Sequence, residues 1–332
     1  MNLENLQTIL KNDPPFRLKQ AKQAVFKDLI TDWSQARSFP LKLREELTEE
    51  CSLEIQAKLF ISKDQNSVKA LITFSDGQSV ETVLMRHNDG RNTVCVSSQA
   101  GCALGCAFCA TGKAGFKRNL TYFEIVEQAL FFARYLKNEN QKITNMVLMG
   151  MGEPFLNYDN VISAIRILND KEGFGLGARR ISISTCGIAE GIRKFAKENL
   201  EVNLAISLHA PDDALRSRIM PINKKYPLKE VLDAVDDYIK ETKRRVMFEY
   251  IMIKDLNDSD EIAQKLVELA KRPLCFVNLI SYNSTGIFKP SSSERIKIFK
   301  MILENEGVTV TQRYRFGDDI DAACGQLAAK KL

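Results

Sequence analysis

Three of the chain's eight cysteines fall within one short stretch, Cys102-Ala-Leu-Gly-Cys106-Ala-Phe-Cys109. Thiolates at C-x₃-C-x₂-C spacing are a metal-ligand pattern, and the question is which metal. Structural zinc sites pair two C-x₂-C arms or complete the set with histidine. Here the only histidines are His87 and His209, and neither is near the run. Three thiolates without a fourth protein ligand suit a cubane iron–sulfur cluster that keeps one iron open. An open iron can bind the amine and carboxylate of a substrate directly and pass it an electron. A four-residue step reaches at most about 14 Å, so one short loop with Gly101 and Gly105 can wrap such a cluster.

These residues need elements to position them. From residue 92 onward, short apolar runs alternate with helical patterns. The runs lie at 93–97, 144–150, 180–185, 202–208, 246–253, 274–280 and 308–316, and the helical patterns at 121–138, 157–170, 188–199, 227–243, 258–272 and 291–306. Buried strands alternating with helices imply parallel, right-handed βαβ units. The expected class is therefore α/β, as a closed or partial β/α barrel or a doubly wound sheet. Before it, residues 51–91 alternate with period two and predict a small β-meander with a Ser75-Asp76-Gly77 turn. Residues 1–50 read as helical, broken at Pro14-Pro15 and followed by a basic amphipathic segment carrying Arg17, Lys19, Lys22 and Lys27. Three units are expected: helical 1–50, β-meander 51–91 and β/α core 92–332.

In β/α barrels the reacting groups sit at the C-terminal ends of strands. Cys95 closes the first run. The second ends in Met149-Gly150-Met151-Gly152-Glu153-Pro154, where glycines admit a ligand close to the backbone and Glu153 offers an acceptor for an ammonium. Taken alone, that segment is an ordinary turn. The third run ends near Ser184 and the fourth at Ser207-Leu208-His209; Asn283 follows the sixth. A histidine alone in such a place is more often a satisfied core residue. Cys324 lies beyond the last strand, in Asp318-Asp-Ile-Asp-Ala-Ala-Cys324-Gly-Gln. Isolated, Cys95 and Cys324 read as small buried apolar residues. Cys51, Cys186 and Cys275 are read as core thiols. Gly173-Phe-Gly175-Leu-Gly177-Ala178 fits a loose G-x-G-x-x-A but follows a helix and precedes a strand, the reverse of a dinucleotide fingerprint.

The 332 residues are 45% apolar and 27% charged, enough for a sizeable core in about two domains or one extended barrel. No apolar run approaches the ~18 residues of a membrane span. The N-terminus lacks the order of a signal peptide, so eight cysteines point to reduced thiols and a cytoplasmic setting. Net charge is +5, from 47 Lys and Arg against 42 Asp and Glu. That permits a polyanionic partner without demanding one. Lys113, Lys117 and Arg118 after the cysteine run, and Lys289, Arg295, Lys297 and Lys300 near the C-terminus, are the candidate phosphate contacts; on charge alone, a solvated face is the simpler reading.

The C-x₃-C-x₂-C run with Phe108 before its last cysteine resembles the hallmark of the radical S-adenosylmethionine (SAM) superfamily. The likeness narrows, through CVSSQAGCALGCAFCATGKAGFKRNL, MGMGEPFLN, ISISTCG, AISLHAP, MPINKKYP and GDDIDAACGQL, to the RlmN and Cfr family of RNA adenine methyltransferases. The likeness spans essentially the whole chain. It implies a partial (β/α)₆ radical SAM barrel with an N-terminal helical accessory domain and a small β extension. It also implies a [4Fe-4S] cluster on Cys102, Cys106 and Cys109, and SAM contacts from Gly152, Glu153, Ser184, Ser207, Leu208, His209 and Asn283.

By the same resemblance Cys324 takes a methyl from one SAM. A radical made from a second SAM activates that methyl for addition to the adenine ring. Glu81 accepts the ring proton, and Cys95 resolves the adduct through a transient disulfide with Cys324. Carbon 2 of adenine is electron-poor and will not attack the methyl of SAM itself, which is why the route is so indirect. Asn283 stands in Ile-Ser-Tyr-Asn-Ser, whereas relatives carry Pro-flanked versions. One extra residue separates Glu81 from Cys95 compared with some relatives. Gly152-Glu153-Pro154-Phe155-Leu156-Asn157 resembles the RlmN branch, implying 2-methyladenosine in 23S rRNA and in tRNA 3′ of the anticodon. The competing readings are Cfr-type methylation at carbon 8 and a non-catalytic metal-bearing RNA-binding module. The expected partners are 23S rRNA, tRNA and a flavodoxin-like electron donor, with no membrane, for a monomeric enzyme.

Overall fold

The computed structural model describes residues 5–313 and 316–329. The N-terminal segment is helical, with α1 (Leu6–Ile9), α2 (Phe16–Phe26) and α3 (Leu41–Glu50). Trp33, fully buried between α2 and α3, donates its indole N–H to the Cys51 carbonyl at 2.7 Å. A meander follows, β1 (Ala57–Ile61), β2 (Ser67–Thr73) and β3 (Ser79–Arg86), all antiparallel.

The core begins with β4 (Asn92–Cys95), and a hairpin of β5 (Gln99–Gly101), α4 (Ala110–Ala114) and β6 (Phe116–Asn119) carries the cysteine run. Strands and helices then alternate: α5 (Tyr122–Lys137), β7 (Asn145–Leu148), α6 (Tyr158–Asn169), β8 (Ile181–Thr185), α7 (Ala189–Ala196), β9 (Asn203–Ser207), α8 (Asp213–Ile219), α9 (Leu228–Thr242), β10 (Val246–Met252), α10 (Asp260–Ala270), β11 (Cys275–Ser281), α11 (Ser293–Asn305) and β12 (Val310–Gln312). Helix starts follow capping chemistry. Thr121 and Glu124 form a reciprocal capping box at α5, and Ser259 and Ser292 cap α10 and α11.

One ten-stranded sheet runs in the order β1-β2-β3-β4-β7-β8-β9-β10-β11-β12. From β4 to β12 every pairing is parallel, as the alternation required. This is the α/β, partial-barrel architecture that the resemblance implied, with six parallel strands to β11 and a short seventh. The meander is not set apart from it: β3 pairs antiparallel with β4, with Val83 opposite Cys95. The 51–91 unit therefore continues the barrel sheet. The helical unit is tied on by Arg134 of α5, which donates to the carbonyls of Ile30 (2.6 Å) and Leu53 (2.8 Å). The chain turns over residues 171–174 directly after α6, as a helix stop should. The expected last strand, 308–316, is ordered as a ladder only over Val310–Gln312; Tyr314 and Arg315 lie outside the described residues. So do residues 1–4 of the helical unit and 330–332 of the core. No helix among the described residues is long and apolar enough to cross a membrane.

Candidate active site

The cysteine loop is shaped by the β5–β6 hairpin, which closes its two ends. Gly101 has a left-handed φ of 77°, and a Cβ there would lie 1.8 Å from the Gly115 carbonyl oxygen, so only glycine permits the closure. Cys102 N–H bonds that same carbonyl at 3.0 Å. Within the loop Cys109 N–H donates to the Cys106 carbonyl (3.1 Å), and Ala107 N–H to the carbonyl of Ile219 at the end of α8 (2.9 Å). The Phe108 ring meets the His209 imidazole edge-on, with centroids 4.9 Å apart.

Cys102, Cys106 and Cys109 line one cavity of about 170 Å³. That is many times the ~10–15 Å³ a single water needs. Among the described residues no three His, Cys, Asp or Glu side chains close on a single ion. The thiols fit a larger group spanning the cavity, with burial pushing Cys102 up to about 12 and Cys109 up as well. Such thiols bind a cationic group as thiolates, releasing their protons to solvent. A cubane cluster meets these requirements: three soft thiol donors and one open side.

The strand ends converge on the same wall. Cys95 at the end of β4, Gly152 and Glu153 after β7, Ser184 in β8, Ser207 and His209 at β9, and Asn283 after β11 all line it. Gly152 has φ 98°, and a Cβ would meet the Gln99 side chain at 2.5 Å. Glu153 is buried, with its carboxylate accepting from Phe155 N–H (3.0 Å) and Cys186 N–H (2.7 Å), and burial raises its pKa. Asn283 donates to the Cys324 carbonyl at 3.2 Å, while its side-chain oxygen is buried and partnerless. An orphaned acceptor on this wall is where a ligand donor belongs. His209 sits at φ 59°, accepts Ile251 N–H on Nδ1 at 3.2 Å, and is pushed down to about 3, chiefly by burial and then by Arg216. It is a neutral imidazole that packs the cysteine loop onto the strand ends.

Cys324 lines the same cavity, on a segment clamped to the cysteine loop. Ala110 N–H donates to the Gly325 carbonyl (2.7 Å), and Thr111 Oγ1 to the Leu327 carbonyl (2.5 Å). Cys95 and Cys324 share the wall, and Cys95 is pushed up to about 12, first by burial and next by Cys324.

Two expected site residues are not on the wall. Leu208 is fully buried outside it, with its backbone N–H given to the Glu249 carbonyl. Glu81 is buried next door, ion-paired to Lys69 at 3.0 Å and accepting the N–H groups of Ala328 (2.7 Å) and Ala329 (3.2 Å). Among the expected phosphate contacts, Arg118 is spent on Glu124 (2.7 Å) and Asp76, and Arg295 on Asp260. Lys117, Lys289 and Lys297 are exposed.

The sequence reading missed three residues. Cys186, read as a core thiol, lines the cavity and hydrogen-bonds Cys106; a fourth thiol one residue past the end of β8 was a usable signal. Glu249 in β10 and Arg313 after β12 also line it. Glu249 stands mid-strand, where the strand-end rule does not look.

Residues 96–266 match the radical SAM superfamily. The chain is 45% identical over 337 residues to a Carboxydothermus hydrogenoformans protein named probable dual-specificity RNA methyltransferase RlmN, covering 99% of this chain and 97% of that one. It is 44% identical over 322 residues to a Nitrosopumilus maritimus protein named ribosomal RNA large subunit methyltransferase N, covering 94% and 92%. A crystal structure of a radical SAM methyltransferase from Sphaerobacter thermophilus superposes with a TM-score of 0.95 at 43% identity, covering 99% and 98%. With the whole length matched in both sequence and fold, the chain belongs to the RlmN family of radical SAM RNA methyltransferases.

Proposed function

We propose that this enzyme makes 2-methyladenosine in 23S rRNA, and in tRNA 3′ of the anticodon, through a methyl carried on Cys324. The observation that supports the reading is the meeting, in one cavity, of six thiols drawn from four parts of the chain: Cys102, Cys106 and Cys109, Cys95, Cys186, and Cys324. A cluster alone needs three, and Cys186 hydrogen-bonds one of them. The remaining two, Cys95 and Cys324, suit a carrier and its resolving partner.

Bound cluster and SAM supply the electron and the sulfonium from which a hydrogen-abstracting radical is made. Cys102, Cys106 and Cys109 would hold the cluster. Glu153, Ser184, Ser207, His209 and Asn283 form the polar wall that orients SAM, with the Asn283 oxygen free to accept. Two SAM molecules are consumed per methyl, one as methyl donor to the Cys324 thiolate and one as radical source. Cys95 then attacks Cys324 sulfur as a thiolate, releasing RNA and leaving a disulfide. Glu81 is the proton acceptor in this reading. Its carboxylate is held by the amides of Ala328 and Ala329, so it serves only when that turn yields to RNA. Exposed Lys117, Lys289 and Lys297 contribute phosphate contacts, which make binding fall with salt. The adenine is read in an extruded position. The enzyme works as a cytoplasmic monomer supplied by a flavodoxin-like reductant.

The experiment is anaerobic reconstitution with iron and sulfide, then assay on protein-free 23S rRNA deuterated at adenine carbon 8. Retained deuterium with a new methyl on carbon 2 is expected; loss of deuterium overturns the carbon-2 assignment. In Cys95→Ala, a covalent protein–RNA adduct through Cys324 is expected, and free methylated RNA at the parental rate would remove Cys95 from its role.

A further inference from the structure

One fully buried cation has no part in the reading above. Arg216 of α8 is sealed from solvent and does not itself line the cavity. All five of its N–H groups are used. Nε donates to the Leu208 carbonyl (3.2 Å), Nη1 to Asn223 Oδ1 (2.8 Å) and the Tyr226 carbonyl (3.4 Å), and Nη2 to the carbonyls of Cys186 (2.6 Å) and Ser207 (3.3 Å). Every one of these acceptors is neutral. A buried guanidinium ordinarily sits in a fork with a carboxylate, because a buried charge without a partner is costly. Here the hydrogen bonds are complete and the charge is not balanced. Asp213, on the same helix, gives its carboxylate to the Asn223 side-chain amide (2.9 Å) and to Leu228 N–H (2.8 Å). Glu153 gives its own to the N–H groups of Phe155 and Cys186.

The guanidinium stands against the cysteine loop by two routes. Cys186, whose carbonyl it holds, lines the cavity together with Cys106 and packs in the same apolar cluster. Bond lengths keep a cysteine sulfur within about 5 Å of its own carbonyl oxygen, so Nη2 is at most about 8 Å from the Cys186 sulfur. Helix α8 also reaches the loop directly. Ile219, one turn on from Arg216, accepts the N–H of Ala107, the residue after Cys106, at 2.9 Å.

We propose that Arg216 supplies the buried counter-charge for the cluster held by the cysteine loop and makes that cluster easier to reduce. The inference rests on the reading of Cys102, Cys106 and Cys109 as cluster ligands. Three thiolates outweigh the charge of an oxidised cubane core, so the held cluster is an anion, and a further electron makes it more so. That electron comes from a one-electron carrier, which is oxidised; no bond forms or breaks and no proton moves. A fixed cation close by favours the added negative charge, and burial keeps salt from screening it. The carbonyls of Cys186, Ser207 and Leu208 hold the guanidinium in place where β8 and β9 end.

The test is an anaerobic redox titration of the reconstituted enzyme without SAM, followed through the electron paramagnetic resonance signal of the reduced cluster. Parent, Arg216→Gln and Arg216→Lys are compared. Glutamine keeps hydrogen-bond donors without the charge, and lysine keeps the charge with fewer donors. A unit charge about 10 Å away, at an effective dielectric of about 20, shifts an equilibrium by about tenfold. Arg216→Gln is therefore expected to be reduced with an equilibrium constant about tenfold smaller, a fall of about 59 mV for one electron. Arg216→Lys is expected to stay close to the parent. Loss of the cluster from Arg216→Gln but not from Arg216→Lys would be the same charge dependence in a stronger form. Equal potentials in parent and Arg216→Gln would overturn the proposal. So would an equal fall in both variants, which would trace the effect to the hydrogen bonds. Failure of Arg216→Lys to hold a cluster, alone or with Arg216→Gln, would mark a structural tie and overturn it too. A parent that takes up no iron and sulfide would sink the cysteine-loop reading itself, and that is seen in its iron content before any titration.

Discussion

The protein sets a carboxylate beside a cation at two places, one on β2 and β3 and one at β10 and the end of β12, and they are built in opposite ways. Lys69 and Glu81 touch at 3.0 Å with both side chains under a tenth exposed. Every strong group is answered: Lys69 also bonds the Asp321 carbonyl at 3.2 Å, and Glu81 takes the amides of Ala328 and Ala329. Arg313 and Glu249 stand 3.8 Å apart, with one carboxylate oxygen unanswered. The first pair latches the segment carrying Cys324 onto β2 and β3. The second faces the cavity with valence in reserve. Saturated polar groups fix a structure, and unsaturated ones on a cavity wall are where a ligand or reaction completes the set.

The comparison is broken most severely by Lys69→Met. Leaving Glu81 buried without its partner is expected to cost about 3–5 kcal/mol, read by urea unfolding. Adding Glu81→Leu to Lys69→Met should recover most of that loss, since a well-packed apolar pair replaces a buried ion pair at little cost. A single-variant loss under ~1 kcal/mol would show that the latch is not structural. Arg313→Met should behave the other way, with a loss of only about 1 kcal/mol because its pair is already loose. Its RNA methylation rate should nevertheless fall, because the guanidinium lines the reaction cavity. Equal stability losses in the two variants would erase the distinction between latch and reserve.

A smaller effect comes from His209, which is neutral by burial rather than by pairing. Its folded pKa, about 3, lies below the ordinary 6.5. The stability it contributes is therefore fully present above pH 6.5 and is lost as pH falls from there toward 3. His209→Gln should flatten the decline in unfolding free energy between about pH 6 and pH 4. An unchanged slope would mean that the imidazole is already charged in the folded protein.

Much of this was readable in the sequence, and the reasons are specific. The strands and helices after residue 92 announced themselves by alternation. Cys95, Glu153, Ser184, Ser207, His209 and Asn283 were found because a parallel strand exposes its C-terminal end. The β5–β6 hairpin was not, since three and four residues are too few for a period to register. The junction of the meander with the barrel sheet was equally hidden, because strand pairing leaves no mark in either strand alone. Glu249 and Arg313 were missed for a related reason. A mid-strand Glu and an Arg past the last strand look like surface charges until the fold brings them to one wall. Cys186 was misread as a core thiol for want of the same proximity. Glu81, legible by resemblance, turned out to be held behind the C-terminal turn.

The most direct test of the central account is one turnover of the reconstituted, oxygen-protected enzyme on RNA with SAM whose methyl carries only deuterium. Cys324 should first gain the full trideuteromethyl, and the methyl later found on adenine should lack one deuterium, which 5′-deoxyadenosine has taken. An intact trideuteromethyl on the RNA, with Cys324 unlabelled, would mean direct transfer from SAM and would contradict a cavity built around a sulfur carrier.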